Sequence, residues 1–68
     1  MYRIYEYNYD GFNINYIADK DDNVLYMRVD GGEWCKLSAA TLDKGNPPKQ
    51  IGKMTNKQFN EEIFVNNI

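Results

Sequence analysis

The chain has 68 residues, a formal net charge of −2 and 43% hydrophobic residues, a composition typical of one small folded domain and not of a disordered chain. It contains one cysteine and no histidine, which excludes an internal disulfide framework and the commonest general base and metal ligand. No apolar run approaches the roughly 20 residues that span a bilayer, and the N-terminus lacks the apolar core of a signal peptide. We therefore expect a cytoplasmic protein with no membrane partner.

The first turn predicted along the chain is Asp10-Gly11, a pair that favours the positive backbone φ of a two-residue hairpin. This turn pairs residues 2–9 with residues 12–18 as antiparallel strands. Because side chains alternate along a strand, one face, called here the aromatic face, receives Tyr5, Tyr7, Tyr9, Phe12, Ile14 and Tyr16. The other, called here the opposite face, carries Glu6, Asn8, Asn13 and Asn15, and ends in Ile4 and Ile17.

The second turn is the acidic segment 19–22, which predicts a four-residue hairpin loop before a third strand at 23–29. The loop pairs Tyr16 with Leu25, and the aromatic face then gains Leu25, Met27 and Val29 from the third strand. The same segment resembles the start of a calcium loop. However, Val24 stands where that motif needs glycine and the flanks are strands, so we interpret it as a polar turn and expect no metal.

The third turn spans residues 30–32. A three-residue loop with Gly32 in the left-handed conformation pairs Met27 with Cys35 and keeps the apolar residues on one face, whereas a two-residue loop mixes the faces. A fourth strand is therefore predicted at 33–37. In this register Cys35 points into the core, and because no histidine is present to activate it, we interpret it as structural.

The rest of the chain has to cover the aromatic face, because a sheet with an apolar face must bury it. Thr55 and Gln58 form a capping-box pattern. A helix is predicted from about residue 56 towards residue 66, with Phe59 and Ile63 on the face that packs against the sheet.

Residues 38–45 predict a short helical turn that ends at Gly45, and the two prolines that follow predict a stiff connector. Residues 63–68 fit either the end of the helix or a short terminal strand. The predicted fold is α+β, one domain over residues 1–68. A four-stranded antiparallel β-meander has one face covered by a C-terminal helix and a short helical turn.

The face left uncovered in this prediction carries aromatic and basic side chains on the third and fourth strands. Tryptophan, tyrosine and arginine are the residues most enriched among binding hot spots. The predicted partner-binding residues are Tyr26, Arg28, Trp34, Lys36, Asn13 and Asn15. An alternative interpretation is a cross-strand cation–π pair of Arg28 with Trp34 on an ordinary solvated sheet face.

We expect neither an enzyme nor a cofactor, because the residues do not assemble into a set of positioned catalytic groups. The leading hypothesis is a small protein that binds a larger protein and inhibits or modulates it. The acidic turns offer a second contact surface, towards a basic groove on the partner. Abundant asparagine, lysine, isoleucine and tyrosine imply AT-rich codons. They suggest a phage-type anti-defence inhibitor that acts in the host cytoplasm.

Two alternative functions are consistent with some of the same sequence features. The aromatic and basic residues of the predicted partner-binding face can stack single-stranded nucleic acid, although a net charge of −2 opposes the basic surface that phosphate contacts need. A structural subunit is the other alternative. It self-associates into a homo-oligomer through an apolar row of Ile4, Ile17 and Val24, or through an open sheet edge.

Overall fold

The computed structural model describes residues 1–42 and 45–64. Within them, five strands form one antiparallel sheet in the order β4-β3-β2-β1-β5. Their bounds are β1 Tyr2–Tyr9, β2 Phe12–Ala18, β3 Asn23–Val29, β4 Cys35–Thr41 and β5 Lys49–Met54. A short α-helix, α1 (Asn56–Phe59), continues into a π-helical segment, Asn60–Phe64. The antiparallel sheet is confirmed, the domain is mostly β, and the predicted four-stranded meander is corrected by the fifth strand.

The first hairpin has the predicted turn and the predicted register. Asp10 and Gly11 both have positive φ, at 50° and 83°. Tyr9 pairs with Phe12, and the same register continues to the pair of Arg3 with Ala18. The assignment of residues to the two faces of β1 and β2 is therefore confirmed.

The pairing of β2 with β3 is shifted by two residues from the prediction, so that Tyr16 pairs with Met27 instead of Leu25. A shift of two keeps side chains on their predicted faces. A bulge at Leu25 then breaks the ladder and places Val24 opposite Ala18, on the aromatic face. The side chain of Leu25 packs against the core on the opposite face. Because of the bulge, Leu25 and Val24 therefore each lie on the face predicted for the other.

The third turn is also a two-residue turn, with positive φ at Asp30 (51°) and Gly31 (72°). Gly32, which we predicted in the left-handed conformation, instead donates its N–H to the carbonyl of the residue before the turn at 3.0 Å. One extra residue between Gly32 and the start of β4 then restores the predicted pairing of Met27 with Cys35. The predicted pair is confirmed, and the predicted loop type is wrong.

The helical turn predicted over residues 38–45 is wrong for the part that the structure describes. Residues 38–41 belong to β4, where Ala40 pairs with Val24 and Thr41 with Asn23. So short a helix is unfavourable because nucleation is costly, whereas the edge of β3 offers a ladder of hydrogen bonds. Residues 43 and 44 of this prediction lie outside the described residues.

The fifth strand pairs with β1 and was not predicted. Its sequence, residues 49–54, is polar, contains Gly52 and follows two prolines, features typical of an edge strand. Ile4 pairs with Gly52 and Tyr5 with Gln50, so the ladder has an irregularity between them. Pairing with β1 outweighs the weak intrinsic strand preference of this segment.

The start of α1 is confirmed in detail. The hydroxyl of Thr55 accepts the N–H of Gln58 at 3.1 Å, and the side-chain oxygen of Gln58 accepts the N–H of Thr55 at 2.9 Å. Phe59 and Ile63 are buried as predicted. The predicted continuation beyond residue 64, whether helix or strand, lies outside the described residues. None of the helices in residues 1–42 and 45–64 has the length and apolar character that crossing a membrane requires.

The C-terminal helix covers the opposite face, so the prediction that it covers the aromatic face is wrong. The buried cluster on this face comprises Ile17, Tyr26, Met54, Phe59 and Ile63, whereas Tyr5, Ala18 and Val24 are buried on the aromatic face. The ring of Tyr2 stacks on that of Phe59 with centroids 4.0 Å apart. Met54 pairs with Tyr2 at the end of β5 and therefore points to the opposite face. Because Thr55 caps α1 directly after Met54, the helix packs on the side to which Met54 points.

Candidate binding surface

The predicted partner-binding residues divide into buried, half-buried and exposed positions. Tyr26 and Asn15 are 4% and 5% exposed, and Tyr26 packs against Phe59 of the helix, so the prediction that they lie on the surface is wrong. Asn13, Arg28 and Trp34 are half-buried, and Lys36 is exposed. The structure therefore brings four of the six to an accessible position.

Arg28 connects two of these residues to each other. Its guanidinium lies over the ring of Trp34, 4.5 Å from the centroid, and its Nε donates to Oδ1 of Asn15 at 2.9 Å. Trp34 also packs against the buried core. This is the cation–π pair considered as an alternative, and its interactions hold the indole and the guanidinium within the fold.

The apolar row proposed for self-association is not a surface. Ile17 and Val24 are buried, and Ile4 packs against the core. The helix covers Ile4 and Ile17, and the bulge in β3 turns Val24 to the aromatic face. Because Ile17 and Val24 are buried, the three residues do not form an exposed apolar row.

Cys35 is exposed, so the prediction that it points into a core is wrong. It pairs with Met27 on the aromatic face of the edge strand β4. Its thiol donates to the carbonyl of Glu33 at 3.8 Å.

The aromatic face exposes three large apolar residues at one end of the sheet. Tyr9 is 62% exposed, Phe12 50% and Val29 41%. Tyr9 and Phe12 are paired, and Val29 pairs with Ile14, the next residue of β2 on the same face. Tyr9, Phe12 and Val29 are called here the apolar patch.

A cavity of about 330 Å³ opens on the same face. Its floor is formed by the sheet, and its wall by the end of β4 with Leu42, Asn46 and Pro48. The lining residues are Tyr7, Tyr16, Val24, Met27, Leu37, Ala40, Thr41, Leu42, Asn46 and Pro48. The ring of Tyr7 also stacks on that of Tyr9, with centroids 6.3 Å apart. The cavity and the apolar patch therefore form one continuous surface.

Two acidic turns lie at the end of the sheet that carries the apolar patch. Asp10 is exposed in the first turn, and Asp30 is exposed in the third. The carboxylate of Asp30 accepts the N–H of Asn13 at 3.0 Å, and the N–H of Asp30 donates to the carbonyl of Asn13 at 2.7 Å. The apolar patch therefore borders negatively charged groups.

The acidic turn between β2 and β3 is internally bonded. The carboxylate of Asp19 accepts the N–H of Asp21 at 2.9 Å and the N–H of Asn23 at 3.0 Å. Arg3 donates to the carbonyl of Asp19 at 2.9 Å and forms an ion pair with the carboxylate of Asp22. Within the described ranges, no group of three or more histidine, cysteine or acidic side chains is arranged to hold a metal ion.

These bonds change the pKa of Asp19. Burial disfavours its carboxylate, but the hydrogen bonds from Asn23 and Asp21 and the positive charge of Arg3 outweigh that effect. The pKa of Asp19 is consequently below its usual value.

We expect protonation of the Asp19 carboxylate to destabilise the fold at acidic pH. A carboxyl with a lowered pKa stabilises the fold above the unfolded-state value of about 3.9, and this contribution is lost as the pH falls through the folded-state pKa. Asp19→Asn should reduce the pH dependence of the urea midpoint below about pH 4. The control, Asp21→Asn, removes a carboxylate of the same turn that accepts none of these bonds. Equal pH profiles for the two variants would contradict this role.

Comparisons of the chain with protein-family models, with curated proteins and with solved structures gave no match. The chemistry of the aromatic face is therefore the basis for assigning a function.

Proposed function

We propose that this protein is a non-enzymatic binding module whose interface with a larger protein is the aromatic face. The observation that supports this most strongly is the apolar patch, in which Tyr9, Phe12 and Val29 are exposed side by side. Exposed apolar residues that lie near one another, unlike those scattered singly, mark interaction sites. Aromatic residues also supply much of the binding energy of protein interfaces.

The effect on the partner belongs to the same proposal. A module that covers part of a larger protein occupies or reshapes the partner's surface, and inhibition or modulation of the partner is the proposed result. The abundance of asparagine, lysine, isoleucine and tyrosine, whose codons are AT-rich, leads us to propose a phage-type anti-defence inhibitor in the host cytoplasm as its particular form.

The two alternative functions have less support from this surface. Single-stranded nucleic acid needs cations beside the stacking rings, whereas the apolar patch borders Asp10 and Asp30. Lys36 pairs with Tyr26, on the opposite face. Self-association through the edge of β4 stays a second candidate, because an edge strand presents backbone groups to a further strand.

Selection from a displayed library of random peptides on the immobilised protein tests the proposal. We expect enriched peptides whose affinity falls at least about tenfold in the double variant Tyr9→Ser with Phe12→Ser, because truncated hot spots cost that much. Both residues are exposed, so the variant should stay folded.

The matched control replaces two exposed residues of the opposite face, Asn8→Ser with Lys36→Ser. We expect this variant to bind the enriched peptides as the unmodified protein does. Binding that is lost in the control and retained in the first variant would place the interface on the opposite face. A selection in which no peptide depends on the apolar patch would also contradict the proposal.

A further inference from the structure

The cavity on the aromatic face has the chemistry of a pocket for an uncharged group. All of its described lining residues are uncharged, although 26% of the chain is charged. A cavity of about 150 Å³ lined by apolar residues holds benzene, and this one is about 330 Å³. Its size therefore suits a phenol or an indole, with the rings of Tyr7 and Tyr16 and the thioether of Met27 as the contacting groups.

The wall of the cavity also offers a few polar groups. Thr41 brings a hydroxyl, and the hydroxyl oxygen of Tyr7 accepts a hydrogen bond from Nδ2 of Asn46 at 3.2 Å. Buried tyrosine and tryptophan side chains each need one partner for their O–H or N–H. An apolar wall with a small number of hydrogen-bonding groups meets that need.

The surroundings of the cavity favour a protein as the source of that ring. Tyr7 lines the cavity and stacks on Tyr9 of the apolar patch, so an occupant that enters the cavity continues onto the patch. Asp10 follows the end of β1 and lies three residues beyond Tyr7, so their Cα atoms are at most about 10 Å apart. Basic residues about three positions from the anchor, in an extended segment, would complement Asp10 and Asp30.

We propose that the cavity receives a tryptophan or tyrosine side chain of the partner, and that the partner's residues beside this anchor are basic. This inference rests on the proposed function, because the anchor belongs to the partner that binds the aromatic face. A free aromatic small molecule is the other possible occupant, and the experiment separates the two.

Amide chemical shifts of the isotope-labelled protein test the pocket, with three probes: N-acetyl-tryptophanamide, the capped peptide Trp-Ser-Ser-Lys, and the capped peptide Trp-Ser-Ser-Glu. We expect all three to shift Tyr16, Val24 and Leu42, which line the cavity. The lysine peptide should bind at least about threefold more tightly than the glutamate peptide at low salt, because surface charge pairs contribute modestly and are screened by salt.

Variants of the cavity and of the acidic turns give the matched comparison. Ala40→Leu should weaken all three probes by about tenfold, because it fills the cavity. Thr41→Phe, at an exposed position of the same wall, repeats the test if the first variant does not fold. Asp10→Asn with Asp30→Asn should remove only the preference for lysine, because asparagine tolerates the positive φ of both positions.

Each remaining outcome identifies what has failed. Shifts confined to Tyr9, Phe12 and Val29, or no shifts at all, would overturn the pocket, while library peptides that depend on the patch would still support the proposed function. Cavity shifts with equal affinity for the two peptides would overturn the basic partner and indicate a small-molecule pocket. If the probes shift the amide signals of the cavity residues but no library peptide depends on the apolar patch, the proposed function is contradicted. The proposal that a side chain of the partner enters the cavity then fails with it.

Discussion

Phe59→Ala is expected to lower the free energy of unfolding by about 3–5 kcal/mol, the usual cost of truncating a buried aromatic ring. Phe59 is 6% exposed, stacks on Tyr2 and meets the ring of Tyr26 edge-on, with centroids 5.7 Å apart. A domain of this size has a total stability of about 3–10 kcal/mol. Urea titration followed by circular dichroism should therefore show that the variant has lost at least about a third of its stability, and at the low end of this range it is unfolded without denaturant.

Phe12→Ala is the matched control, with the same substitution on the aromatic face. Phe12 is 50% exposed, so its loss should change the free energy of unfolding by less than about 0.5 kcal/mol. A cost for Phe12→Ala comparable to that for Phe59→Ala would mean that the aromatic face is the covered one. In that case the binding surface proposed here would not exist.

Asn15→Ala is expected to cost about 1–3 kcal/mol, because it leaves a half-buried charged group without its acceptor. Asn15 is buried, and its Oδ1 accepts the Nε–H of Arg28, whose guanidinium is held over Trp34. The loss of this acceptor also loosens the packing of the indole against the core. The midpoint of urea unfolding measures the effect.

Asn8→Ala provides the comparison on the same face of the sheet. Asn8 is exposed and accepts a hydrogen bond from Nδ2 of Asn13 at 3.1 Å, so its replacement should cost less than about 0.5 kcal/mol. Arg28→Met combined with Asn15→Ala should cost less than the sum of the two single variants, because the interaction is lost only once. Equal costs for Asn15 and Asn8, or strict additivity, would contradict a structural role for the pair.

Local features of the fold were predictable because nearby residues determine them. Asp10 and Gly11 adopt positive φ at low cost, so they set a two-residue turn and the register of the first hairpin. Thr55 and Gln58 satisfy the first backbone groups of the helix by themselves. The aromatic rings of β1 and β2 share one face for the same local reason.

Features that depend on a distant partner were not predictable in this way. β5 is a strand only because its backbone pairs with that of β1. β4 extends through residues 38–41 only because the edge of β3 provides backbone hydrogen-bond partners there. The bulge at Leu25 is a property of β3 packed between two strands. One signal for the covered face was present in the sequence, since Ile4, Ile17 and Tyr26 already formed an apolar group on the opposite face.

The sequence by itself determined the reversals of the chain, the division of β1 and β2 into two faces, and the site at which the helix begins, because each depends on contacts within a few residues. Only the tertiary structure decided which face the helix covers. That choice depends on the register of β5 against β1, where a shift of one residue would turn Met54, and with it the helix, to the other side. The same register leaves Tyr9, Phe12 and the cavity on the face that the helix does not cover.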